Sequence, residues 1–325
     1  MRFAFPFRSH AGRSLRAVAA LLLLAPLSVA PSRAQTGQAD QHAALSSGAA
    51  TRSDAARPDV GKPAAMAVDA ASPQQPGIAS QALDKVKQVA RSAGDIFHRV
   101  PCHQPTGVPN TTGSLPHVAA KLAAGKPVVI IAFGSSSTQG YGSSAPEFTY
   151  PSRLAAQLRR QYPSADITVL NRGKGGEDAP EMMKRLQTEV IDMHPDMVIW
   201  QVGTNAVLRN LDPSETAKQV EDGVARIQAD GADLVLVDPQ YSPRVTERPE
   251  SARGMVKLLG RIAALRHVGI FPRFEVMRDW HERQAIPIND FVIDDGLHMN
   301  DWGYACFAQL LGDDIIRSVG AIKIG

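Results

Sequence analysis

From Gly113 to the end of the chain, apolar runs alternate with segments that carry apolar residues at helical spacing. Runs that are apolar throughout predict strands buried on both faces. Their alternation with amphipathic helices predicts an α/β fold, with three α/β/α layers around a doubly wound, mainly parallel five-stranded sheet. The predicted strands are Val128 to Phe133, Ile167 to Leu170, Met197 to Val202, Leu234 to Val237 and Gly269 to Phe274.

Helical patterns separate or follow these strands. In a sheet of this kind, ligands bind outside the carboxyl ends of the strands. The residues directly after each strand are therefore where chemistry is expected. The helical patterns lie within 150–162, 180–193, 214–229, 251–267 and 303–319.

The first 34 residues have the order of a secretory signal. A basic start without any acidic residue precedes an apolar run from Ala17 to Ala30, and small residues follow at Ser32 and Ala34. The alternative is a membrane anchor, but Pro26 interrupts the run, which is shorter than the ~20 residues that span a bilayer. We expect cleavage after Ala34 and a periplasmic or secreted protein without stable membrane insertion.

The rest of the chain divides into three further segments. Residues 35–81 are rich in Ala, Ser, Gln, Pro, Asp and Gly and contain no aromatic residue, which predicts a disordered linker. Residues 82–112 begin with a loosely helical apolar pattern and are interpreted as a docking helix and connector. Residues 113–325 form the predicted catalytic domain.

The charge balance gives no reason to expect nucleic acid as a partner. The 325 residues include 35 basic and 32 acidic ones, with 44% hydrophobic residues, as in an ordinary globular protein. Five of the basic residues are arginines of the predicted signal, so the remaining 30 face 32 acidic residues. A near-neutral body without a Lys/Arg-rich tract lacks the electrostatic footprint of a nucleic-acid-binding protein.

The first strand is followed by the segment GSSSTQG, from Gly134 to Gly140. Small residues at a strand-to-helix turn allow a sharp bend that exposes a hydroxyl group. Serine-rich turns are common, so this segment is weak evidence by itself. It contains neither the Gly-Lys-Ser/Thr ending of a P-loop nor the G-x-S-x-G frame of a nucleophile elbow.

Two polar segments follow the second and third strands. The glycine-rich stretch Asn171 to Asp178 is either a plain turn or a source of a backbone N–H that faces a developing negative charge. It does not match the G-x-G-x-x-G pattern of dinucleotide loops. Asn205, after the third strand, is either a cap or a side-chain amide that completes an oxyanion site.

A candidate acid–base pair stands near the end of the chain, where Asp295 precedes His298 by three residues. Most lone histidines are structural or exposed. A carboxylate at this spacing, however, can hold the histidine Nδ1–H and leave Nε2 as a base. A metal site would need more clustered ligands than the sequence offers.

In chain order, GSSSTQG, N-x-G-x-x-G, G-x-N and D-x-x-H resemble the four conserved segments of the SGNH/GDSL serine ester hydrolases, over roughly 113–325. The resemblance implies a flavodoxin-like SGNH hydrolase fold. It also implies Ser136 as nucleophile, His298 as general base and Asp295 as its orienter. The implied oxyanion hole consists of the Ser136 and Gly176 N–H groups and the Asn205 side chain.

Two positions depart from the pattern of that family. Ser135 stands where the family usually has Asp before the nucleophile, and Ala206 follows Asn205 where the family often has Asp. Neither position supplies a reacting group. The departure at Ser135 concerns the hydrogen bonding of the nucleophile loop.

The implied activity is hydrolysis of carboxylic esters through an acyl-serine intermediate, without a metal or organic cofactor. The substrate is expected to be a small-molecule or carbohydrate ester, with short acyl groups, acetyl above all, on carbohydrate or cell-wall polymers. Alternatives are a lysophospholipase or thioesterase, an acyltransferase, and a non-catalytic envelope binding protein on a hydrolase fold. The only two cysteines, Cys102 and Cys306, are expected to form a disulfide in an oxidising compartment.

Overall fold

The computed structural model describes residues 99–105 and 113–321. The predicted signal peptide (1–34) and linker (35–81) lie outside the described residues. The same is true of 82–98 and 106–112 in the predicted docking helix and connector. The predicted catalytic domain is described up to Ala321.

Five parallel strands form a single sheet: β1 (Val128–Gly134), β2 (Ile167–Gly173), β3 (Met197–Gln201), β4 (Asp233–Val237) and β5 (Gly269–Phe271). Their spatial order is β2-β1-β3-β4-β5. The winding direction changes between β1 and β3, which lie side by side in the sheet. In open α/β sheets, ligand sites form outside the carboxyl ends of the strands at this change.

Helices cover both faces of the sheet, which confirms the predicted three-layer arrangement. Because side chains of a strand alternate between faces, Ile130 and Ala132 pack in one buried cluster and Ile131 and Phe133 in the other. No helix within 99–105 and 113–321 has the length and apolar character of a membrane span. The helices are α1 (Pro116–Ala123), α2 (Ser136–Gln139), α3 (Tyr150–Gln161), α4 (Ala179–Glu189), α5 (Thr204–Leu208), α6 (Pro213–Ala229), α7 (Pro243–Thr246), α8 (Pro249–Arg266), α9 (Arg273–Glu282) and α10 (Asp301–Gly320), with 3₁₀ turns at Pro146–Phe148, Ile191–Met193 and Ile288–Asp290.

The second strand is longer than its apolar run predicts. It continues beyond Leu170 to Gly173, which pairs with Gly134 at the end of β1. A Cβ atom at Gly173 would lie 2.0 Å from the backbone nitrogen of Gln139, so only glycine lets α2 pack this closely on β2. The glycine-rich loop is thereby brought beside the loop that follows β1.

The fifth strand is shorter than predicted. It ends at Phe271, and α9 begins at Arg273, so Phe274 lies in a helix rather than in the sheet. Pro272 separates the two elements. A proline has no N–H for the strand ladder, and its fixed φ suits the start of a helix.

A disulfide joins Cys102 to Cys306 in α10, with a Cα–Cα distance of 5.8 Å. Several further contacts link residues 99–105 to the same helix. The Val100 N–H donates to Gln309 Oε1 at 3.0 Å, and Arg99 forms an ion pair with Asp313. The segment before the domain is therefore fixed to the helix that follows the D-x-x-H motif.

Loss of this disulfide is expected to lower the free energy of unfolding. The two cysteines are 204 residues apart in sequence, so the bridge closes a long loop. Removing a native disulfide costs about 2–5 kcal/mol, because the unfolded chain regains entropy. We expect this loss in Cys102→Ala, measured by denaturant unfolding, and the same loss in wild type with reductant. Recovery of two free thiols from unreduced, periplasmically expressed protein by peptide mapping would contradict the bridge.

Candidate active site

Three predicted side chains meet at the carboxyl edge of the sheet. Ser136 is the first residue of α2, directly after β1, and its Oγ lies 2.7 Å from Nε2 of His298. On the other side of the imidazole, Nδ1 lies 2.5 Å from Oδ2 of Asp295. A continuous hydrogen-bonded chain thus links a carboxylate and an imidazole that are close in sequence to a hydroxyl group 162 residues away.

The surroundings of Asp295 keep it ionised. Its Oδ1 accepts the backbone N–H groups of Leu297 and His298, each at 2.9 Å. Burial alone raises the pKa of Asp295, but the hydrogen bonds from the His298 ring and from these two N–H groups outweigh it, so the pKa lies below its ordinary value. A carboxylate can only accept, so Nδ1 carries the proton and Nε2 is left to accept from Ser136.

A tight turn positions the acid and the base. The Gly296 N–H donates to the Ile293 carbonyl, and the Ile293 N–H donates to the His298 carbonyl. Gly296 has φ +66°, a conformation in which glycine is unstrained. His298 is only 9% exposed, whereas Asp294 points to solvent. The turn therefore selects Asp295 over its acidic neighbour.

Two backbone N–H groups are available beside Ser136. Neither the Ser136 N–H nor the Gly176 N–H donates to any of the residues that the structure describes. Gly176 has φ +79°, and the N–H of the neighbouring Gly175 is already bound to Gln139 Oε1 at 2.9 Å. The Gly176 N–H is therefore open to a ligand, which is what the family resemblance requires of an oxyanion donor.

Asn205 makes a contact that the sequence did not predict. Its Nδ2 donates to the Glu177 carbonyl at 2.7 Å, which ties α5 to the glycine-rich loop. A side-chain amide carries two hydrogens, and the second has no partner among residues 99–105 and 113–321. Asn205 can therefore hold the loop and still donate to an oxyanion.

Replacing Asn205 with alanine should remove one oxyanion donor. We expect kcat to fall by about 10²- to 10³-fold with little change in KM, because the lost bond strengthens only in the transition state. Initial rates over a range of ester concentrations separate the two constants. The exposed Asn289 provides a matched control, since Asn289→Ala removes an amide from a 3₁₀ turn. A change in KM alone would make Asn205 a substrate-binding residue.

Sequence reasoning missed two arginines that brace the glycine-rich loop. Arg209 donates to the Gly176 carbonyl at 2.6 Å and to Asp178 at 2.7 Å. The buried Arg185 pairs with Glu177 at 2.7 Å and also donates to the carbonyl groups of Gly134 and Arg172. Arg185 thus joins the ends of β1 and β2 to the loop. For Arg185, the signal available in the sequence was a charged residue on the apolar side of a predicted helix.

Gln201 is the hydrogen-bond partner of Ser135, which stands where the family usually has Asp. Ser135 is 2% exposed, and both its N–H and its Oγ–H donate to Gln201 Oε1 at 3.0 Å. The Thr138 hydroxyl approaches the same oxygen at 3.3 Å. The glutamine at the end of an otherwise apolar strand therefore anchors the nucleophile loop.

Comparisons with known proteins show the family of this chain. The model of a non-GDSL lipase-like family matches residues 101–321. An arylesterase from Vibrio mimicus is 24% identical over 189 residues, which cover 58% of this chain and 88% of that protein.

Two solved structures share the fold. A two-domain esterase active on acetylated mannans, co-crystallised with mannopentaose, has a TM-score of 0.55 and 22% identity. The match covers 66% of this chain and 57% of that one, so this chain spans a little over half of its length. A catalytic mutant of an acetylxylan esterase from Geobacillus stearothermophilus has a TM-score of 0.50 and 17% identity, with coverage of 60% and 95%.

Proposed function

This chain belongs to the non-GDSL lipase-like family of ester hydrolases, and we propose that it removes short acyl groups, acetyl above all, from carbohydrate or cell-wall polymers. The observation that carries the ester-hydrolase part of this proposal is the hydrogen-bonded chain from Asp295 through His298 to Ser136. A serine hydroxyl is a poor nucleophile near neutral pH and needs a base within hydrogen-bond reach. His298 is that base.

The reaction follows from the positions of these groups. Ser136 Oγ attacks the ester carbonyl carbon while His298 Nε2 takes its proton, and the carbonyl oxygen becomes an oxyanion. The N–H groups of Ser136 and Gly176 and the Asn205 amide donate to this oxygen. His298 then returns the proton to the alcohol oxygen as the bond to the acyl carbon breaks. Water, deprotonated by His298, attacks the acyl-serine, and the acid and free Ser136 are released.

The names of related proteins support short acyl groups on sugars. One structure that shares the fold is of an esterase active on acetylated mannans and another is of an acetylxylan esterase, whereas the relative in sequence is an arylesterase, which says nothing of sugars. The exposed Arg244 lies beside the turn that carries the triad, and its backbone N–H donates to the Gly296 carbonyl. A long acyl chain would need a continuous apolar wall. The substrate class is proposed on these grounds.

Export to the periplasm or to the medium completes the proposal. The order of residues 1–34 is that of a signal peptide, and the Cys102–Cys306 bridge suits an oxidising compartment. Expression of the full chain in a Gram-negative host, followed by fractionation and N-terminal sequencing, tests this. We expect a periplasmic or secreted protein that begins at Gln35. Retention of Met1 in the membrane fraction would contradict cleavage.

A panel of esters tests the activity and the acyl preference together. We expect kcat/KM to decrease from p-nitrophenyl acetate to butyrate to octanoate, and acetate to be released from acetylated xylan. Preference for octanoate would favour the lysophospholipase or thioesterase alternative. Formation of acetylated sugar in place of acetate, with a sugar acceptor present, would identify an acyltransferase. Absence of hydrolysis of every ester would favour a binding protein.

A further inference from the structure

Tyr141 presents an aromatic ring to solvent beside the catalytic base. Its exposed fraction is 57%, and its ring centroid lies 4.5 Å from that of His298 with an angle of 49° between the planes. The other large hydrophobic residues that are exposed in the described part of the chain are aliphatic: Met193, Leu211 and Leu265. An exposed aromatic ring therefore coincides with the reaction centre.

The backbone around Tyr141 is held firmly. The buried Tyr304 hydroxyl donates to the Tyr141 carbonyl at 2.6 Å, and the Ser144 N–H donates to Asp301 at 2.8 Å. Gly142 has φ +92°, and a Cβ atom there would lie 2.4 Å from the Met299 carbonyl oxygen. The loop is thus fixed against the turn that carries His298, and it displays the Tyr141 ring in a defined place.

The reaction indicates which part of the ester lies beside Tyr141. The alcohol oxygen receives its proton from His298 Nε2, so the group attached to this oxygen must lie next to the imidazole. The acyl carbonyl oxygen instead faces the N–H groups of Ser136 and Gly176. Because Tyr141 packs on the imidazole, its free ring face borders the alcohol rather than the acyl group.

The surroundings favour a sugar ring over other alcohols. A pyranose has a flat face of C–H groups, which packs on an aromatic ring, and hydroxyl groups around its edge, which need polar partners. The turn beside Tyr141 carries the exposed Asp294, whose carboxylate can accept from a sugar hydroxyl. The Tyr141 hydroxyl has no hydrogen-bond partner among the described residues. It is free to bind a sugar hydroxyl.

We propose that Tyr141 is a specificity-determining residue, whose ring stacks on the pyranose that carries the scissile acetyl group. This inference rests on the proposed function, because it concerns the alcohol part of the same ester. Tyr141 takes no proton and forms no bond to the acyl group.

The test compares an acetate whose alcohol has a sugar ring with one whose alcohol has none. The probes are acetylated methyl β-xylopyranoside and ethyl acetate. In Tyr141→Ala, we expect kcat/KM for the acetylated sugar to fall about tenfold more than for ethyl acetate, mainly through KM. Tyr141→Phe retains the ring, so we expect most of the selectivity for the sugar to return. Leu265→Ala, which removes an exposed apolar side chain from α8, controls for surface changes.

Each contrary result identifies a different error. Equal losses in kcat for both acetates in Tyr141→Ala would show that Tyr141 only positions His298, and would overturn the proposal. Unchanged selectivity would overturn it as well. A selective loss with p-nitrophenyl acetate instead of the acetylated sugar would assign the ring to an aryl alcohol. Wild-type hydrolysis of ethyl acetate without hydrolysis of the sugar would overturn the sugar subsite alone, whereas failure with every ester would overturn the proposed function.

Discussion

Replacing Ser136 with alanine is expected to lower kcat for ester hydrolysis by roughly 10⁶-fold, the scale seen when a triad nucleophile is removed. Its Oγ is the hydroxyl oxygen that lies 2.7 Å from His298 Nε2. Without it, no acyl-enzyme can form. Stopped and continuous assays with p-nitrophenyl acetate measure the loss, and the thermal midpoint of unfolding should change little because Ser136 is only partly buried.

The neighbouring serines provide matched controls. Ser135 donates to Gln201, and the Ser137 hydroxyl approaches Gln240 Oε1 at 3.5 Å, with both serines 2% exposed. Ser135→Ala and Ser137→Ala should therefore affect stability more than kcat. Near-normal activity of Ser136→Ala, with one of these two variants inactive, would show that the nucleophile is a different serine of the run.

The second large effect is expected for Asp295→Asn, which should lower kcat by up to about 10⁴-fold. An asparagine amide directed at Nδ1 favours the wrong tautomer, in which Nε2 carries the proton and cannot accept from Ser136. KM should change little, because Asp295 does not border the substrate. Steady-state kinetics of the purified variant, with circular dichroism to establish folding, measure this.

Asp294→Asn is the control for this prediction. Asp294 is exposed and carries none of the hydrogen bonds that Asp295 makes to the ring and backbone of the turn. We expect its kcat to stay close to that of wild type. Similar losses in the two variants would contradict the assignment of Asp295 as the orienter of His298.

The layers of the fold were predictable because buried parallel strands are apolar throughout. The ends of the strands were less predictable from the sequence, because they depend on pairing between strands. β2 continues to Gly173 because its last residues pair with β1, although Asn171 and Arg172 are polar. β5 ends early at Phe271 because Pro272 cannot donate to the ladder.

The triad was predictable in part, because one of its two hydrogen bonds is local in sequence. Asp295 and His298 are three residues apart, so their hydrogen bond is local and visible in the sequence. Ser136 lies 162 residues from His298, and only the order of the four segments linked them. That order correctly predicted the family.

Contacts that depend on the approach of separate loops were not predictable. The Asn205 bond to the Glu177 carbonyl, the Arg209 bond to Gly176 and the tilted packing of Tyr141 on His298 all join elements distant in sequence. Nothing in the spacing of these residues indicates which loops meet. These contacts are apparent only in the folded structure, where the loops at the carboxyl edge of the sheet lie next to one another.

The central claim is that Ser136 forms the covalent intermediate with the acyl group. Its most direct test is active-site labelling with a fluorophosphonate, followed by tandem mass spectrometry of the peptide that contains Ser135, Ser136 and Ser137. We predict one adduct per chain, located on Ser136, together with complete loss of esterase activity and no labelling of the His298→Ala variant. An adduct on Ser135 or Ser137, or full activity after stoichiometric labelling of Ser136, would contradict the account.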